Sequence, residues 1–520
     1  MENVKDLTFW ADSFDPDSRP WLLLGKGPSF KQIAQVDCSG FFVCTLNHVI
    51  REQPADVAHI IDIDVVINCA QALEEHAGFL VMPYHPHENH KPSTKTLAQY
   101  ASEIPVLDSL AKQGRLVGYN LSSTVRIHGE SPVIDVKFFS AEAALNILAT
   151  IGVRTVRSLG IDGGNQYAQS FTDLNDKTRL ANGHANFDGQ FRNIAKTILK
   201  TGIDYAPWYL NSPIKIFVGS DHAQVAGLKV LEYSIKKHAS MSVEVQLIDD
   251  TGLPEPSAAE NRSRTGFSFA RFRIPQLCNY QGRGIYLDAD MLVFTDIAEL
   301  WTADMAGHSV LYSEQGAAGA RVPQFSVMVL DCETLQWDVN QILSGLDANE
   351  YDYQQLMQKL CIVPPDKLGP LLPETWNSLE KYEAGKTHLI HYTDMPTQPW
   401  VSHSNRHGQI WYDHAREAID CGFLTRDFLY EEVAKGHVSP ELPSWLGLQK
   451  PADFSTLKSN WVPPYRRFVG MPSVPAYRSG GLPGLALRQR AAFAARALAR
   501  RSPGFMIDLY RKARGRVRGY

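Results

Sequence analysis

The chain has 520 residues, of which 44% are hydrophobic and 21% charged, a balance typical of a globular protein. This length predicts about two to four domains, and no uncharged apolar run reaches the roughly 18 residues that a transmembrane helix needs. The seven cysteines are scattered without paired spacing, which indicates reduced thiols and argues against a disulfide framework or a zinc site. The acidic, polar N-terminus is unlike a secretory signal, so we expect a cytoplasmic protein.

Strand and helix patterns alternate along the first 210 residues. Short apolar runs predict strands at the start of WLLLGKGPSF and in FFVCTLN, VVINCA and TVRSLGID. Two stretches with helical periodicity, SAEAALNILATIG and GQFRNIAKTILKTG, complete the pattern. This alternation predicts a parallel sheet with helices on both faces, and therefore a first Rossmann-like α/β domain over residues 1–210.

A second α/β pattern extends over residues 211–465, after the linker NSPIK. Its predicted strands are IKIFVGSD, VEVQLIDD, GIYLDADMLVF, QFSVMVLD and HLIHY, and its predicted helices are AGLKVLEYSIKKHA and SFARFRIPQLC. From about residue 405 to 461 the chain has a mostly helical pattern. We therefore predict a second Rossmann-like α/β domain with a helical C-terminal part.

A basic tail over residues 466–520 contains the hinge-like sequence RSGGLPG. From Arg478 onward there are eleven Lys/Arg and one acid, Asp508, whereas the rest of the chain is acidic. Apolar and arginine positions at helical spacing suit an amphipathic helix on an anionic membrane surface, so we expect association with the inner face of the cell membrane. An RNA-binding arm and a solvated helix are the alternatives. The acidic body and the lack of an RNA-binding module argue against nucleic acid, so we expect no nucleic-acid partner.

Two carboxylates, Asp288 and Asp290, interrupt the apolar run GIYLDADMLVF. Residues two apart in a strand face the same side, and ligands of α/β sheets bind at the carboxyl edge. Two carboxylates this close repel each other unless a cation bridges them, and oxygen ligands suit Mg²⁺ or Mn²⁺. Such an ion would neutralise a diphosphate leaving group. The alternative is a solvated turn after a buried strand.

The second domain resembles the retaining sugar-nucleotide glycosyltransferases of family 8, which have the GT-A fold and include bacterial lipopolysaccharide galactosyl- and glucosyltransferases and glycogenin. The resemblance covers about 214–411 and is carried, in the family's order, by FVGSDHAQ, FSFARFRIPQL, YLDADMLVF, YDYQQLM and HYTDMPTQPW. It implies a UDP-sugar donor, a glycan or glycolipid acceptor, Mn²⁺ or Mg²⁺, and transfer with retained configuration.

The same resemblance implies a role for each matching residue. The implied metal ligands are Asp288, Asp290 and His391. The implied donor-binding residues are Gly219, Ser220, Asp221, Arg271 and Asp288. Catalysis would involve Asp290 and Gln354, with Gln354 on the reactive face of the donor sugar.

Four positions depart from the family pattern. Ser326 and Met328 replace the usual Asn and Gly, Tyr353 replaces an Asp, and Gln398 replaces a Lys that contacts phosphate. These changes bear on donor identity and phosphate affinity, and they leave the three metal ligands unchanged.

A glycine-rich turn in the first domain places Gly25 and Gly27 between a strand and a helix. Such a turn lets backbone N–H groups approach a phosphate, although a simple tight turn has the same sequence. Together with VCTLNHV, FFSAEAAL, LGIDGGNQYA and GHANFDGQF, the turn resembles the bacterial sialyltransferases of family 42, which use a CMP-sugar. The resemblance implies donor binding by Gly25, Gly27 and Asn47, and a general base at His184, a task that suits the pKa of histidine.

The first domain departs from family 42 as well. Lys26 replaces an Asn, and Arg157 and Gly164 replace tyrosines that steady the leaving phosphate. The same turn occurs in a Rossmann-like group that includes archaeal pterin diphosphokinases. The first domain is therefore either a CMP-sugar transferase or a non-catalytic module that binds an acceptor or docks a partner.

The loop YHPHENH carries three histidines, His85, His87 and His90. It would either bind a transition metal or form a polar surface loop. Taken together, the sequence predicts a bifunctional glycosyltransferase for bacterial surface polysaccharide or lipopolysaccharide. A degenerate, lectin-like protein is the remaining alternative, and the intact Asp288, Asp290 and His391 set argues against it.

Overall fold

The computed structural model describes residues 4–127, 129, 131–175, 183–210, 213–313, 325–449 and 461–464. The chain divides into two compact units, residues 1–214 with 239–243 and residues 215–238 with 244–520. The domain limits that we predict from the sequence stay predictions, and the basic tail 466–520 lies outside the described residues. Among the helices in the described ranges, none is both long and apolar enough to cross a membrane.

A parallel sheet forms the centre of the first unit. In the described part of the unit, the strands follow one another across the sheet in the order Lys5–Asp6, Leu116–Leu121, Ala77–Pro83, Ala55–His59, Phe42–Leu46, Trp21–Leu24, Thr155–Leu159 and Asp204–Pro207. Val133–Ile134 pairs with Leu116–Leu121 off this path, and the described pairings in the sheet are parallel. The strand order reverses between Trp21–Leu24 and Thr155–Leu159, which is the kind of position where open α/β sheets bind ligands.

The central strands are buried on both faces, as the apolar runs in the sequence predict. All four residues of Trp21–Leu24 are buried, which is typical of parallel strands covered by helices. The predicted strand VVINCA is wrong, because Ile63–Asn68 is a helix whose Ile63, Val65 and Val66 face the core. A short apolar run does not distinguish a buried strand from a buried helix, and the sheet position is taken by Ala55–His59 instead.

Helices and short hairpin strands surround this sheet. The described α-helices of the first unit are Leu7–Ala11, Ile63–Asn68, Ala70–His76, Leu97–Glu103, Pro105–Lys112, Ser140–Thr150 and Gly189–Thr201. The 3-10 helices are Pro28–Gln35, Cys38–Gly40, Asn47–Arg51 and Gln169–Leu174, and His87–Glu88 pairs with Lys91–Pro92. Both helices predicted from periodicity are present, and the second ends at Gly202, whose φ of 72° is easily adopted by glycine.

The second unit contains a mixed sheet. Its described strands lie in the order Val243–Ile248, Ile214–Gly219, Arg283–Asp288, Val327–Asp331, Val310–Tyr312 and Leu368–Gly369. Ile214–Gly219 runs parallel to Arg283–Asp288, whereas Val327–Asp331 is antiparallel to it. The described structure is therefore mixed α/β with parallel strand pairs, while two Rossmann-like domains stay a prediction.

The predicted continuous strand GIYLDADMLVF is wrong in one respect, because it breaks at Ala289 and Asp290. Arg283–Asp288 belongs to the mixed sheet, and Met291–Val293 belongs to a separate sheet with Leu389–His391 and Ser378–Leu379. The backbone of the bend is paired on both sides, since Ala289 N donates to Gly219 O at 3.0 Å and Tyr392 N donates to Asp290 O at 2.8 Å.

The remaining elements of the second unit are mostly helical. Its described α-helices are Val225–His238, Ile274–Leu277, Ala298–Trp301, Val339–Asp347, Tyr353–Lys359, Gly408–Asp420, Arg426–Lys435 and Leu442–Trp445. Its 3-10 helices are Ala259–Asn261, Ala270–Arg273, Pro365–Lys367, Glu374–Asn377 and Met395–Thr397. The helical pattern predicted after residue 405 corresponds to the last three α-helices.

Candidate active sites

Asp288, Asp290 and His391 come together in the second unit. Each offers a ligand atom, and these atoms all lie within 4.8 Å of one another. The fold brings the histidine to the carboxylates because Met291 pairs with His391 in the antiparallel register of the small sheet. His391 therefore lies next to Asp288 and Asp290, although it is about 100 positions away in the sequence.

The Asp290 carboxylate is buried and only partly satisfied by hydrogen bonds. Its Oδ2 accepts a hydrogen bond from Gln398 Nε2 at 2.9 Å, and the same amide donates to Tyr392 O at 3.1 Å. Its Oδ1 faces His391 Nε2 at 3.0 Å and accepts no other hydrogen bond from the described residues. A buried carboxylate oxygen in this state suits a cation.

The Asp288 carboxylate is held by two side chains that are themselves buried. Tyr286 Oη donates to Asp288 Oδ1 at 2.6 Å and accepts from Arg271 Nη2 at 2.9 Å. Burial raises the pKa of Tyr286 well above its usual range, so its hydroxyl keeps the proton that it donates. Arg271 Nη2 lies 3.7 Å from Asp288 Oδ1, and Arg271 Nη1 donates to Phe325 O at 2.8 Å. The described contacts of Arg271 thus orient Asp288, and its predicted contact with the donor stays a prediction.

His391 has its two ring nitrogens in different surroundings. Nδ1 lies 3.0 Å from Asn377 Oδ1, an acceptor, so Nδ1 carries a proton and Nε2 faces the two carboxylates. Burial lowers the pKa of His391, but the charges of Asp290 and Asp288 outweigh it, and the net result is a raised pKa. The contact between His391 Nδ1 and Asn377 Oδ1 fixes the orientation of the ring, as is usual for histidines that bind a metal. Two carboxylates and an imidazole fit Mn²⁺ or Mg²⁺.

The strand Ile214–Gly219 ends beside Asp288, because Gly219 and Asp288 are in register. A β-carbon at Gly219 would lie 2.7 Å from Phe267 Cδ2 and would also collide with the Tyr286 hydroxyl, so glycine permits this close packing. Ser220 and Asp221 are buried, and Ser220 Oγ donates to Asp221 O at 2.9 Å. The fold places these three residues at the carboxyl edge next to Asp288, Asp290 and His391, the candidate metal-binding group, and their donor-binding role stays a prediction.

Gln354, the residue predicted to face the donor sugar, lies on a helix of the second unit. It is an exposed residue at the start of the helix Tyr353–Lys359. Tyr353, which replaces the usual acidic residue, is buried and its hydroxyl lies 3.1 Å from Ser268 Oγ. No described hydrogen bond or ion pair joins Gln354 to Asp288, Asp290 or His391, so its catalytic role stays a prediction.

A cleft of about 560 Å³ lies within the first unit, at the carboxyl ends of the parallel strands. We call it the first-unit cleft, and its lining includes Gly25, Asn47, Asp62, His87, Asp162 and His184. The candidate residues Gly25, Gly27, Asn47 and His184 therefore meet at one surface. His87 and His90 of the histidine loop also line the cleft, whereas His85 Nδ1 lies 3.2 Å from Ser93 O. The described residues of this loop do not form a metal-binding group.

The backbone of the glycine turn is bound to the end of a neighbouring strand. Gly25 N donates to Leu159 O and Gly27 N to Gly160 O, both at 2.8 Å, so neither N–H is available to a phosphate. A β-carbon at Gly25 would collide with the Gly160 carbonyl, and one at Gly27 would lie 2.6 Å from Asp162 Oδ2. The glycines allow two strand ends to touch. They line the cleft, and their contact with a ligand stays a prediction.

Two other first-unit candidates differ in their surroundings. His184 packs against Phe138 and Phe139, with ring centroids 4.5 and 5.2 Å away, and its role as a base stays a prediction. Arg157 Nη2 pairs with Asp204 at 2.7 Å and is not among the residues that line the first-unit cleft.

Part of this chain is similar to known proteins. Glycosyl transferase family 8 matches residues 209–353. Protein CDI of Arabidopsis thaliana is 27% identical over 234 residues, which cover 41% of this chain and 83% of CDI. The galactosyltransferase LgtC, solved with donor and acceptor sugar analogs, is 13% identical with a TM-score of 0.30, covering 39% of this chain and 96% of LgtC. The bifunctional glycosyltransferase WbbM is 12% identical with a TM-score of 0.30, covering 61% of this chain and 62% of WbbM.

The chain is a glycosyltransferase, and the predicted enzyme class is confirmed. Its reaction therefore involves a nucleotide-sugar donor and an acceptor. The family match supports family 8 for the second unit, whereas the two structural likenesses are too low to support a conclusion about this chain. The resemblance of the first unit to family 42 stays a prediction.

Sequence reasoning missed the residues that orient the metal-binding group. Tyr286, Asn377 and Gln398 each contact one member of it. Tyr286 had a usable signal, because it lies two residues before Asp288 on the same face of a strand. Asn377 lies far away in sequence, and no local pattern points to it. Gln398 lies in the HYTDMPTQPW motif, where the sequence identifies it only as a replacement for a lysine and not as a partner of Asp290.

Proposed function

We propose that the second unit is a GT-A-type transferase that moves a hexose from a UDP-sugar to a glycan or glycolipid acceptor. The acceptor would belong to a bacterial surface polysaccharide or lipopolysaccharide, and transfer would retain the anomeric configuration, as the family resemblance implies. The observation that carries the proposal is the convergence of Asp288, Asp290 and His391 beside the strand end at Gly219. The family match over residues 209–353 supports it.

Asp288, Asp290 and His391 would hold Mn²⁺ or Mg²⁺, which when bound would neutralise the diphosphate of the donor. The chain itself supplies orientation. Gln398 fixes one oxygen of Asp290, and Asn377 fixes the histidine ring. Because these groups are buried and held before the donor arrives, little reorganisation is needed during the reaction.

The other predicted residues would act on the donor. Gly219, Ser220 and Asp221 would contact the base and ribose, and Gln354 would face the reacting sugar. Gln398, at the position of a usual lysine, brings no positive charge, so the diphosphate would depend more strongly on the metal.

For the first unit we propose a CMP-sugar transferase in which His184 removes the proton of the acceptor hydroxyl. The second candidate is a module that binds the acceptor glycan or docks a partner without catalysis. The departures at Lys26, Arg157 and Gly164 favour this second candidate. We further propose that the protein is cytoplasmic and that its tail binds the anionic inner face of the cell membrane.

The test is Mn²⁺-dependent UDP release from a panel of UDP-sugars by the full chain. We expect release from one donor, its loss with EDTA, and its loss in Asp290→Ala. The matched control is Asp413→Ala, because Asp413 is an exposed carboxylate on the helix Gly408–Asp420 whose ion pair with Arg416 lies on the surface. Equal activity of Asp290→Ala and the control would contradict the metal assignment.

A separate experiment addresses the first unit. His184→Asn is assayed for CMP release from CMP-sugars and for UDP release. Loss of CMP release alone supports a second active site. No CMP release by the wild type, with full UDP release in the variant, supports the binding module.

A further inference from the structure

In four residues of the first-unit cleft, a buried polar atom forms no hydrogen bond with the described residues. The atoms are Asn47 Oδ1, His48 Nδ1, Asp62 Oδ1 and His87 Nε2, and of these Asp62 Oδ1 has an ion-pair contact with His90 Nδ1 at 3.6 Å. All four residues line the cleft, and His48 is only 1% exposed. Buried polar atoms in proteins nearly always have partners, so this concentration around one cavity indicates a ligand with several polar groups.

Asn47 adds an independent observation. Its φ of 53° lies in the left-handed region, and it directly follows the strand Phe42–Leu46. Its Nδ2 donates to Ser140 Oγ at 3.1 Å, which fixes the amide and leaves Oδ1 unpaired. Strained backbone of this kind persists where the surrounding structure holds it and concentrates at binding sites.

Two lysines, Lys26 and Lys137, line the cleft, and Lys26 belongs to the glycine turn beside Asn47. Lys26 forms no ion pair with a described carboxylate, and its Nζ lies 4.6 Å from the ring centroid of Tyr167. Of the two carboxylates that line the cleft, Asp162 accepts hydrogen bonds from Ser29 N and Ser29 Oγ, and Asp62 has an ion-pair contact with His90. Burial lowers the pKa of Lys26 to about 8, as expected for an ammonium that is desolvated without an ion-pair partner.

An aromatic wall next to Lys26 also lines the cleft. The ring centroids of Phe139 and Phe187 lie 5.5 Å apart, and Tyr167 stacks on Phe187 at 5.8 Å. His184 lies 5.2 Å from Phe139. Aromatic faces of this kind bind a base or the apolar face of a sugar.

We propose that the first-unit cleft binds a phosphorylated ring compound, a nucleoside monophosphate or a sugar phosphate unit, with Lys26 as the partner of the phosphate. The ring lies against the aromatic wall, and its polar groups pair with Asn47, His48, Asp62 and His87. The volume of about 560 Å³ is within the usual range of small-molecule sites. Lys26 therefore determines specificity for the phosphorylated form of the ligand.

The experiment compares phosphorylated and unphosphorylated probes on the full chain by calorimetry in EDTA, which removes metal-dependent nucleotide binding in the second unit. One pair of probes is cytidine monophosphate and cytidine, a choice that rests on the proposed CMP-sugar activity. The other pair is glucose 1-phosphate and glucose. In the wild type we expect the phosphorylated member of one pair to bind about tenfold to a hundredfold more tightly, because a charge-assisted hydrogen bond has that strength.

Three variants test the role of Lys26. Lys26→Gln should remove the preference for the phosphorylated probe, and Lys26→Arg should keep most of it. The matched control is Lys31→Gln, because Lys31 is exposed on the adjacent 3-10 helix Pro28–Gln35 and does not line the cleft. The ratio of the two affinities within each variant separates a charge effect from a general loss of folding, which would weaken both probes equally.

The outcomes distinguish this inference from the proposed CMP-sugar activity. A Lys26-dependent preference for glucose 1-phosphate alone supports the inference and contradicts the cytidine donor. If cytidine monophosphate binds and Lys26→Gln leaves its affinity unchanged, the result supports a CMP-sugar donor and overturns the inference about Lys26. If no phosphorylated probe binds in EDTA, both are overturned.

Discussion

Tyr286→Phe tests the network that orients Asp288. The Tyr286 side chain is fully buried, and its hydroxyl joins Asp288 Oδ1 at 2.6 Å to Arg271 Nη2 at 2.9 Å. Phenylalanine keeps the ring in the core opposite Met328 and removes only the hydroxyl. The variant thus deletes one hydrogen bond to a carboxylate and one from a guanidinium without creating a large cavity.

The magnitude follows from these two contacts. Hydrogen bonds to charged groups contribute about 1.5–3 kcal/mol each, and both partners are buried. Arg271 and Asp288 lie 3.7 Å apart and can approach each other in the variant, which offsets part of the loss. We therefore expect the free energy of unfolding of the second unit to fall by about 2–4 kcal/mol. The affinity for Mn²⁺ should fall about tenfold to a hundredfold, the usual effect of removing a residue that orients a metal ligand.

The assays are urea unfolding in EDTA and calorimetric titration with Mn²⁺. The control is Tyr351→Phe, which in the same unit removes a hydrogen bond to a backbone carbonyl, Ile342 O at 2.8 Å, and none to a charged group. The control should lose about 1 kcal/mol and bind Mn²⁺ normally. If both variants bind Mn²⁺ like the wild type, the hydroxyl does not position Asp288 and the reasoning is wrong.

Three further predictions concern other contacts. Gln398→Glu places a second carboxylate against buried Asp290, so we expect lower stability in EDTA and partial recovery with Mn²⁺, measured by thermal unfolding. Asp162→Ala leaves Ser29 N without its 2.7 Å partner, so urea unfolding should show a loss of about 1–3 kcal/mol in the first unit. Burial, assisted by nearby positive charge, lowers the pKa of His48 to about 4. The unfolded chain takes up this proton below about pH 6.5, so stability should fall by roughly 3 kcal/mol between pH 6.5 and 4, and His48→Gln should lose less.

Each of these variants has a matched control. Gln409→Glu repeats the amide-to-carboxylate change at an exposed contact with Asp413, and metal-dependent recovery there would contradict the first prediction. Asp108→Ala removes an exposed ion pair with Lys112 and should change stability little. An equal pH dependence in His48→Gln and the wild type would contradict the third prediction.

The sequence by itself determined the local features of this protein. Continuous apolar runs identified strands such as Trp21–Leu24 and Arg283–Asp288, because strands buried on both faces carry no polar alternation. Polar residues directly after those strands marked the ligand edges of the sheets. The motifs from FVGSDHAQ to HYTDMPTQPW together identified a glycosyltransferase, since each motif is a local property of the sequence.

Only the tertiary structure decided how distant residues meet. The pairing of Met291 with His391 depends on a sheet register, and Gln398 reaches Asp290 across more than 100 residues. The first-unit cleft likewise joins the histidine loop to the strand end at Asn47. Strand order, register and the helix at Ile63–Asn68 depend on burial against partners that are remote in sequence. Local periodicity holds no information about those partners.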